Sequence, residues 1–100
     1  MLLKKYQLPI YVSENGLADA DDSRRAAFLK GTLECVLKAI TDGADVRGYS
    51  HWSLLDNYEW AEGFKMRFGL VHVDHAGDRK RTIRDSARAY AEIIKNNALN

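Results

Sequence analysis

The spacing of hydrophobic residues predicts a strand, a helix and a second strand in the first half of the chain. Short apolar runs at residues 10–13 and 46–52 are typical of buried strands. Between them, over residues 24–42, apolar side chains recur every three or four positions, as on one face of an amphipathic helix. The helix residues expected in the core are Leu29, Leu33, Val36, Leu37 and Ile40.

Residues that commonly start and stop helices support this order. Asp22 or Ser23 can cap the start of the helix, and Gly43 follows its end as a stop signal. Residues 1–7 are expected to be the end of an earlier helix, which Pro9 terminates. A strand–helix–strand order of this length predicts a right-handed unit with parallel strands.

The second half of the chain has a weaker pattern. Residues 53–68 form a predicted loop with one helical turn, and residues 70–73 alternate as a short strand with a turn near Gly77. Residues 82–85, TIRD, fit a capping box, which predicts a last helix that ends near residue 96. The side chains expected to face inward are Ile83, Ala87, Tyr90, Ala91 and Ile94.

Length and composition indicate a single globular domain over residues 1–100. The chain is 46% hydrophobic and 29% charged, which argues against disorder. Its net charge of +1 gives no electrostatic basis for binding nucleic acid or an anionic membrane. The single cysteine, Cys35, excludes an intrachain disulfide. No apolar run is long enough to span a bilayer, so a cytoplasmic location is expected.

Residues 49–69, YSHWSLLDNYEWAEGFKMRFG, carry the most distinctive chemistry of the chain. Two tryptophans, Trp52 and Trp60, flank a DNYE segment that supplies carboxylate and amide groups. Sugars present C–H faces that stack on aromatic rings, and hydroxyls that need charged or amide partners. This composition favours a carbohydrate site, although a structural loop rich in tryptophan is an equally good interpretation of the composition alone.

Residues 11–16, YVSENG, are the second segment with candidate chemistry. A run of strand-forming residues leads to Glu14, and the Asn-Gly pair that follows is typical of a turn. A carboxylate at the carboxyl end of a buried strand is where α/β barrels place catalytic groups. Considered alone, Glu14 also fits an ordinary polar strand end. Trp52 ends the next predicted strand, so the two residues are expected at one edge of the sheet.

Clusters of potential metal ligands are weak in this sequence. The three histidines, His51, His72 and His75, have no cysteine or close carboxylate partner, and polar strand or loop histidines are the simpler interpretation. Three aspartates in residues 19–22 lack the rest of a calcium-binding loop, so a solvated loop is the better interpretation. We therefore expect neither a metal nor a cofactor.

Together, the YVSENG and WSLLDNYEW segments, the latter followed by RFGLVHVD, resemble two motifs of glycoside hydrolase family 1. This family comprises the retaining β-glucosidases and β-galactosidases. The likeness extends over residues 8–94, is greatest to archaeal members, and departs from the family at Ser13, where threonine is usual. It implies an α/β fold that is a fragment of a (β/α)8 TIM barrel: the last two β/α units, with two parallel strands plus helices.

The resemblance also implies roles for five residues. Glu14 would be the nucleophile that attacks the anomeric carbon of the sugar. Trp52 would stack under the sugar, Trp60 would donate its indole N–H to a hydroxyl, and Phe68 would line the wall near the hydroxymethyl group. Glu59 would bind sugar hydroxyls and repel a 6-phosphate, so the implied substrates are non-phosphorylated β-glucosides or β-galactosides.

The resemblance also shows what this chain lacks. The family's catalytic acid belongs to an Asn-Glu-Pro motif, which this sequence does not contain. Glu59 is a poor replacement, because its implied role is to accept hydrogen bonds. A two-stranded parallel piece also leaves strand edges unpaired. We therefore expect an enzyme part that is inactive until a chain with the first six β/α units joins it. The alternative is a non-catalytic module that self-associates as a homo-oligomer.

Overall fold

The computed structural model describes residues 7–99, which form four strands, two α-helices and a short 3₁₀ turn. In chain order these are β1 (Ile10–Asn15), α1 (Arg25–Thr41), β2 (Val46–His51), the 3₁₀ turn (Trp60–Glu62), β3 (Val71–Val73), β4 (Arg81–Ile83) and α2 (Asp85–Asn96). The helix predicted for residues 1–7 lies outside the described residues, apart from Gln7, which is not helical.

Strands β1 and β2 form a parallel pair with α1 between them in the chain, which confirms the predicted strand–helix–strand order. The pairing begins at Ile10 with Val46 and ends at Asn15 with His51, and its register is irregular between Val12 and Asn15. Because parallel strands run in the same direction, their carboxyl ends meet at one edge of the sheet. This edge holds the candidate site.

Gly43 follows the end of α1 with a positive φ of 100°, as predicted, but the caps predicted for the start of the helix are wrong. The residue before the helix is Arg24, and no side chain of its own caps the first turn. The carboxylate of Asp19 accepts the Arg24 backbone N–H instead, at 2.8 Å. Asp22 cannot cap the helix, because its carboxylate is taken by Arg25 and by Ser86 at the start of α2.

The capping box predicted at residues 82–85 is also wrong. Thr82 lies in β4, opposite His72 of β3, in an antiparallel hairpin that the sequence pattern did not predict. The predicted turn near Gly77 is present. The backbone N–H of Gly77 donates a hydrogen bond to the Asp74 carboxylate at 3.0 Å. Helix α2 follows Arg84, whose extended backbone ends the hairpin.

The described residues bury few large apolar side chains: only Leu29, Leu70 and Val73 are buried apolar residues, beside six buried polar or charged ones. On α1, Leu37 and Ile40 are 55% and 44% exposed, and on α2 Ile94 is 62% exposed. Ile83 and Ala91 are exposed as well. The prediction that these five face a core is wrong, because nothing within residues 7–99 packs over that side.

Three of these exposed side chains, Leu37, Ile40 and Ile94, line an apolar groove between α1 and α2, with a volume of about 360 Å³. Tyr49 of β2 and Tyr90 of α2 form its base, with ring centroids 6.4 Å apart in an edge-to-face arrangement. Leu33 of α1 also lines this groove. The sheet therefore has a helix side that is apolar and open, and a carboxyl edge that is polar.

Candidate functional site

A cleft of about 390 Å³ lies at the carboxyl ends of β1 and β2. It brings together all five residues that the sequence proposed as a site. Two further residues, Asn15 and Gly16, also line it and were not among the predicted site residues. The complete lining is Glu14, Asn15, Gly16, Trp52, Glu59, Trp60 and Phe68.

Contacts between the two strand ends place Glu14 near Trp52. The backbone N–H of Trp52 donates to the carbonyl oxygen of Asn15 at 2.8 Å. The Tyr49 hydroxyl donates to the Asn15 side-chain oxygen at 2.9 Å. A side chain added at Gly16 would overlap the Trp52 carbonyl group, so glycine is needed for this close approach. The Asn-Gly pair after Glu14 therefore joins the two halves of the cleft.

Asp56 holds the long loop that carries Glu59, Trp60 and Phe68. Its carboxylate accepts hydrogen bonds from Arg67 at 2.7 Å and from Arg84 at 2.8 Å. A third bond comes from the backbone of Gly69 at 3.0 Å. Burial alone would raise the pKa of Asp56, but the hydrogen bonds from Arg84, Arg67 and Gly69 outweigh it and hold that pKa below its usual range.

The DNYE segment therefore supplies fewer cleft residues than its composition suggested. Asp56 is only 3% exposed and faces the two arginines. The amide of Asn57 donates to the Leu55 carbonyl at 3.1 Å, within the loop. Tyr58 packs edge-on against Phe64, with ring centroids 5.4 Å apart. Glu59 is the member of this segment that lines the cleft.

Arg25 ties the segment after Glu14 to the wall of the cleft. Its side chain is fully buried, and its Nη2 donates to the carbonyl oxygens of Asp19 at 2.7 Å and Arg67 at 2.8 Å. Its Nη1 donates to Asp22. No sequence signal identified Arg25, because an arginine in the first turn of an amphipathic helix usually faces solvent, and its partners here are mostly backbone carbonyls.

Asp22 extends the Arg25 contacts to α2. It accepts hydrogen bonds from the Ser86 hydroxyl at 2.6 Å and from the Ser86 backbone at 3.0 Å. Burial acts to raise the pKa of Asp22, and the bonds from Ser86 and Arg25 lower it below its usual range. Asp22 therefore connects helix packing to the segment behind the cleft.

The histidines do not form a joint site. His75 bonds through Nε2 to the Asp56 carbonyl at 2.9 Å and stacks on Phe64 with centroids 4.3 Å apart. Both ring nitrogens of His51 are buried without a hydrogen-bond partner, and the ring lies 6.2 Å from that of Tyr90. Burial, with the nearby charge of Arg25, lowers the pKa of His51.

The described part of the chain offers neither a metal site nor a membrane-spanning helix. Residues 7–99 contain no group of three or more histidine, cysteine or acidic side chains arranged to hold a metal ion. Neither described helix has the length and apolar character needed to cross a membrane. The cleft is therefore the best-defined candidate site in this part of the molecule.

Comparison with known proteins points to one family. Residues 1–99 match the sequence profile of glycosyl hydrolase family 1. The chain is 52% identical over 95 residues to a β-galactosidase of Saccharolobus solfataricus, covering 95% of this chain and 19% of that protein. It is 46% identical over 99 residues to a 1,4-β-D-glucan glucohydrolase of Thermotoga neapolitana, covering 90% of this chain and 22% of that protein.

Solved structures give the same picture. The crystal structure of a hyperthermophilic β-glucosidase from Pyrococcus furiosus superposes with a TM-score of 0.93 at 52% identity, over 97% of this chain and 20% of that one. A Thermotoga maritima β-glucosidase in complex with deoxynojirimycin superposes with a TM-score of 0.87 at 39% identity, over 99% of this chain and 25% of that one. The chain spans about a fifth of the length of the curated relatives it matches.

Proposed function

Because the chain belongs to glycosyl hydrolase family 1, we propose that it supplies the nucleophile and part of the sugar-binding cleft of a retaining β-glycosidase. The substrates would be non-phosphorylated β-glucosides or β-galactosides, in keeping with the β-galactosidase and β-glucosidase names of its relatives. The observation that carries this proposal is the cleft itself: Glu14, Trp52, Glu59, Trp60 and Phe68, spread over 55 positions of the sequence, line one depression at a strand edge.

Glu14 is the proposed nucleophile. It lies near the end of β1 and lines the cleft together with Trp52. In a retaining mechanism the carboxylate oxygen bonds to the anomeric carbon while the bond to the leaving oxygen breaks, and water later cleaves the resulting ester. A carboxylate at the carboxyl end of a parallel strand is suited to this task, because substrates bind at that edge of an α/β barrel.

The remaining residues are proposed to bind the sugar. Trp52 stacks on the C–H face of the ring, and Trp60, which is 83% exposed, donates its indole N–H to a hydroxyl. Glu59 makes no side-chain hydrogen bond within the described residues, so its carboxylate is available to sugar hydroxyls. The same negative charge repels a 6-phosphate group. Phe68 forms the apolar wall.

A second carboxyl group is needed across the scissile bond, about 5 Å from the nucleophile in retaining enzymes. Glu59 is the one other acidic residue that lines the cleft. A carboxylate that accepts hydrogen bonds from sugar hydroxyls is ionised and has no proton for the leaving group. We therefore propose that the acid comes from outside this chain, and that the chain is inactive by itself.

The fold gives a physical reason for such a partner. We propose that β1 and β2 are the last two strands of an eight-stranded barrel. Within residues 7–99 each strand pairs only with the other, so the outer edge of each has unpaired backbone groups. Parallel strands are normally covered on both faces. A protein with the first six β/α units would pair both edges and supply the acid.

Complementation tests this proposal. The 100-residue chain, mixed with a protein comprising the first six β/α units of a family 1 β-glucosidase, should hydrolyse p-nitrophenyl β-glucoside with retention of configuration, whereas the chain alone should not. Glu14→Gln should abolish the restored activity, because an amide cannot act as the nucleophile. Glu62→Gln is the control, since Glu62 is an exposed glutamate of the long loop that does not line the cleft.

Two results would contradict the proposal. Turnover by the isolated chain in the usual enzyme range of about 1–10³ per second, abolished by Glu14→Gln, would show that it contains its own acid. A complex in which Glu14→Gln is as active as the parent would show that the nucleophile is another residue.

A non-catalytic, self-associating module is the second candidate function. The apolar groove favours it, because a second copy could cover Leu37, Ile40 and Ile94 as well as a barrel partner could. The mass in solution, measured by light scattering, separates the two proposals. A stable homo-oligomer that gains no hydrolase activity on complementation would support the module.

A further inference from the structure

The end of β1 is irregular at the point where it carries Glu14. The register of β1 against β2 shifts between Val12 and Asn15, so the strand ladder is interrupted around Glu14 and resumes at Asn15 opposite His51. Regular pairing alone therefore does not determine where the Glu14 backbone lies. A contact that holds Asn15 would define the end of this irregular stretch.

Asn15 has two such contacts, and both come from β2 or the residue after it. Its backbone oxygen accepts the Trp52 N–H at 2.8 Å. Its side-chain oxygen accepts the Tyr49 hydroxyl at 2.9 Å, across 34 positions of sequence. Asn15 follows Glu14 directly and lines the cleft itself. One residue thus links the proposed nucleophile to the proposed stacking tryptophan.

Tyr49 is well placed to hold this bond. Its ring is half-buried on the helix side, edge-to-face with Tyr90 at 84°. Burial, with a smaller contribution from Tyr90, raises the pKa of Tyr49 to about 12. The phenol therefore keeps its proton throughout the neutral range and remains a hydrogen-bond donor to Asn15.

We propose that Tyr49 is a positioning residue, which acts through Asn15 to set the placement of Glu14 relative to Trp52. The inference rests on the proposed function of the cleft, because it assigns Tyr49 a purpose only if Glu14 and Trp52 work on one sugar. Tyr49 touches no substrate itself, since its hydroxyl is bonded to Asn15 and its ring packs in the apolar groove.

The first test measures amide hydrogen exchange by NMR in the 100-residue chain. Tyr49→Phe removes one oxygen atom, so the Trp52 amide should exchange about fivefold faster, the typical net effect of one lost hydrogen bond. The Leu29 amide in α1 should not change. Equal acceleration at Leu29, or none at Trp52, would overturn the inference, because it would mean a general loss of stability or no link at all.

Variants of Asn15 provide the rescue. Asn15→Asp keeps an oxygen that can accept the Tyr49 proton, so Trp52 exchange should stay near that of the parent. Asn15→Leu has a similar volume and no acceptor, and should match Tyr49→Phe. If both variants behave alike, the hydrogen bond is not what holds Trp52, and the inference is wrong.

The second test uses the complemented enzyme. Tyr49→Phe should lower kcat about tenfold with KM within about twofold, because a misplaced nucleophile affects the chemical step more than sugar binding. Tyr90→Phe is the matched control: it loses the same atom from the ring that packs on Tyr49. Parent-like kcat for Tyr49→Phe in an enzyme that Glu14→Gln inactivates would overturn the inference and leave the proposed function intact. If the parent itself shows no hydrolysis, the proposed function fails and the catalytic purpose of Tyr49 fails with it, while the exchange experiment still decides whether Tyr49 holds Asn15 and Trp52 together.

Discussion

The cleft lies at the carboxyl ends of β1 and β2, the apolar groove lies on the helix side of the same strands, and the two are built differently. The cleft is supported by buried charged groups whose partners are all within this chain: Asp56 with Arg67 and Arg84, and Arg25 with backbone carbonyls. The groove is bordered by Leu37 and Ile94, which are 55% and 62% exposed. The charged groups of the cleft side find hydrogen-bond partners within the described residues, whereas the groove presents apolar surface with no cover within residues 7–99.

This difference teaches where the chain depends on a partner. Hydrogen bonds need correct geometry, and a buried charge without its partner is costly, so the cleft loop has one favoured arrangement. Apolar burial is not directional, and any complementary apolar surface can provide it. The shape of the half-site is therefore encoded within the chain, while much of the stabilisation of the fold is left to whatever covers the groove.

The largest expected effect comes from breaking the charged network. Arg84→Met removes a buried cation that bonds both Asp56 and the Gly69 carbonyl, and leaves Asp56 short of a partner. We expect a loss of about 3–5 kcal/mol in the free energy of unfolding, measured by chemical denaturation. Arg88→Met, on the helix that follows Arg84, is the control, because Arg88 is exposed and its ion pair with Asp85 is at 3.5 Å. It should change stability by no more than about 0.5 kcal/mol.

An Arg84→Met variant as stable as Arg88→Met would contradict the distinction between the two sides. The cleft loop would then be held by its backbone bonds, such as Ser53 to Phe68 at 3.1 Å and Leu70 to Ser53 at 2.9 Å. The charged network would be a consequence of the loop's shape and not its cause.

The importance of Arg84 and Arg25 also marks the limit of what the sequence predicted. The hydrophobic pattern was sufficient for β1, α1 and β2, because short apolar runs indicated the strands and a spacing of three or four residues indicated the helix. Family motifs were sufficient to group the residues that line the cleft. Arg25 was missed because its partners are mostly backbone carbonyls, whose positions depend on the tertiary fold and leave no trace in residue type.

The hairpin was missed for a different reason. Strand β3 was predicted from the alternation of residues 70–73, but β4 has only three residues, all of them exposed, so period-two alternation is too short to detect there. Residues 82–85 also matched a helix start, and local propensity favoured that interpretation. Pairing of Thr82 with His72, which depends on a distant part of the chain, decided the outcome.

The second prediction concerns the groove. Leu37→Glu places a charge on its border, and we expect the dissociation constant for self-association or for the complementing partner to rise about tenfold or more, the cost of losing one buried leucine contact. Light scattering over a concentration series measures it. Leu54→Glu is the matched control, since Leu54 is 67% exposed on the long loop and does not line the groove. If the parent chain is a monodisperse monomer that unfolds cooperatively, the groove does not need a partner to cover it.

The third prediction separates binding from stability within the cleft. Glu59→Gln should weaken binding of deoxynojirimycin by the complemented enzyme about tenfold, as expected for a lost hydrogen bond to a charged group. It should also relax the bias against 6-phosphorylated substrates, since the repelling charge is gone. Unfolding of the chain should be unaffected, because Glu59 takes no part in the Asp56 network. Ligand titration and denaturation, with Glu62→Gln as control, measure both. If the variant lost stability but bound deoxynojirimycin as the parent does, Glu59 would hold the loop and not the sugar.

The smallest expected effect lies at the boundary between the two regions, at His51. Its ring nitrogens are buried behind the cleft, and its ring packs near Tyr90 of the groove. Burial and the charge of Arg25 lower the pKa of His51 below its ordinary value of 6.5. The unfolded chain therefore binds a proton at a higher pH than the folded chain does. The stabilising contribution of neutral His51 is complete above pH 6.5 and is lost as the pH falls toward the lowered pKa.

Asp22 and Asp56 do not obscure this window, because their pKa values are lowered from 3.8 and their contributions disappear only at more acidic pH. Urea denaturation between about pH 7.5 and pH 5 should show the parent losing stability relative to His51→Gln, which has no proton to gain. If the difference in free energy of unfolding between the two chains did not change with pH, the folded chain would accept a charge at His51 without cost. The space between cleft and groove would then be open to water, and the two regions would not be separated by a buried layer.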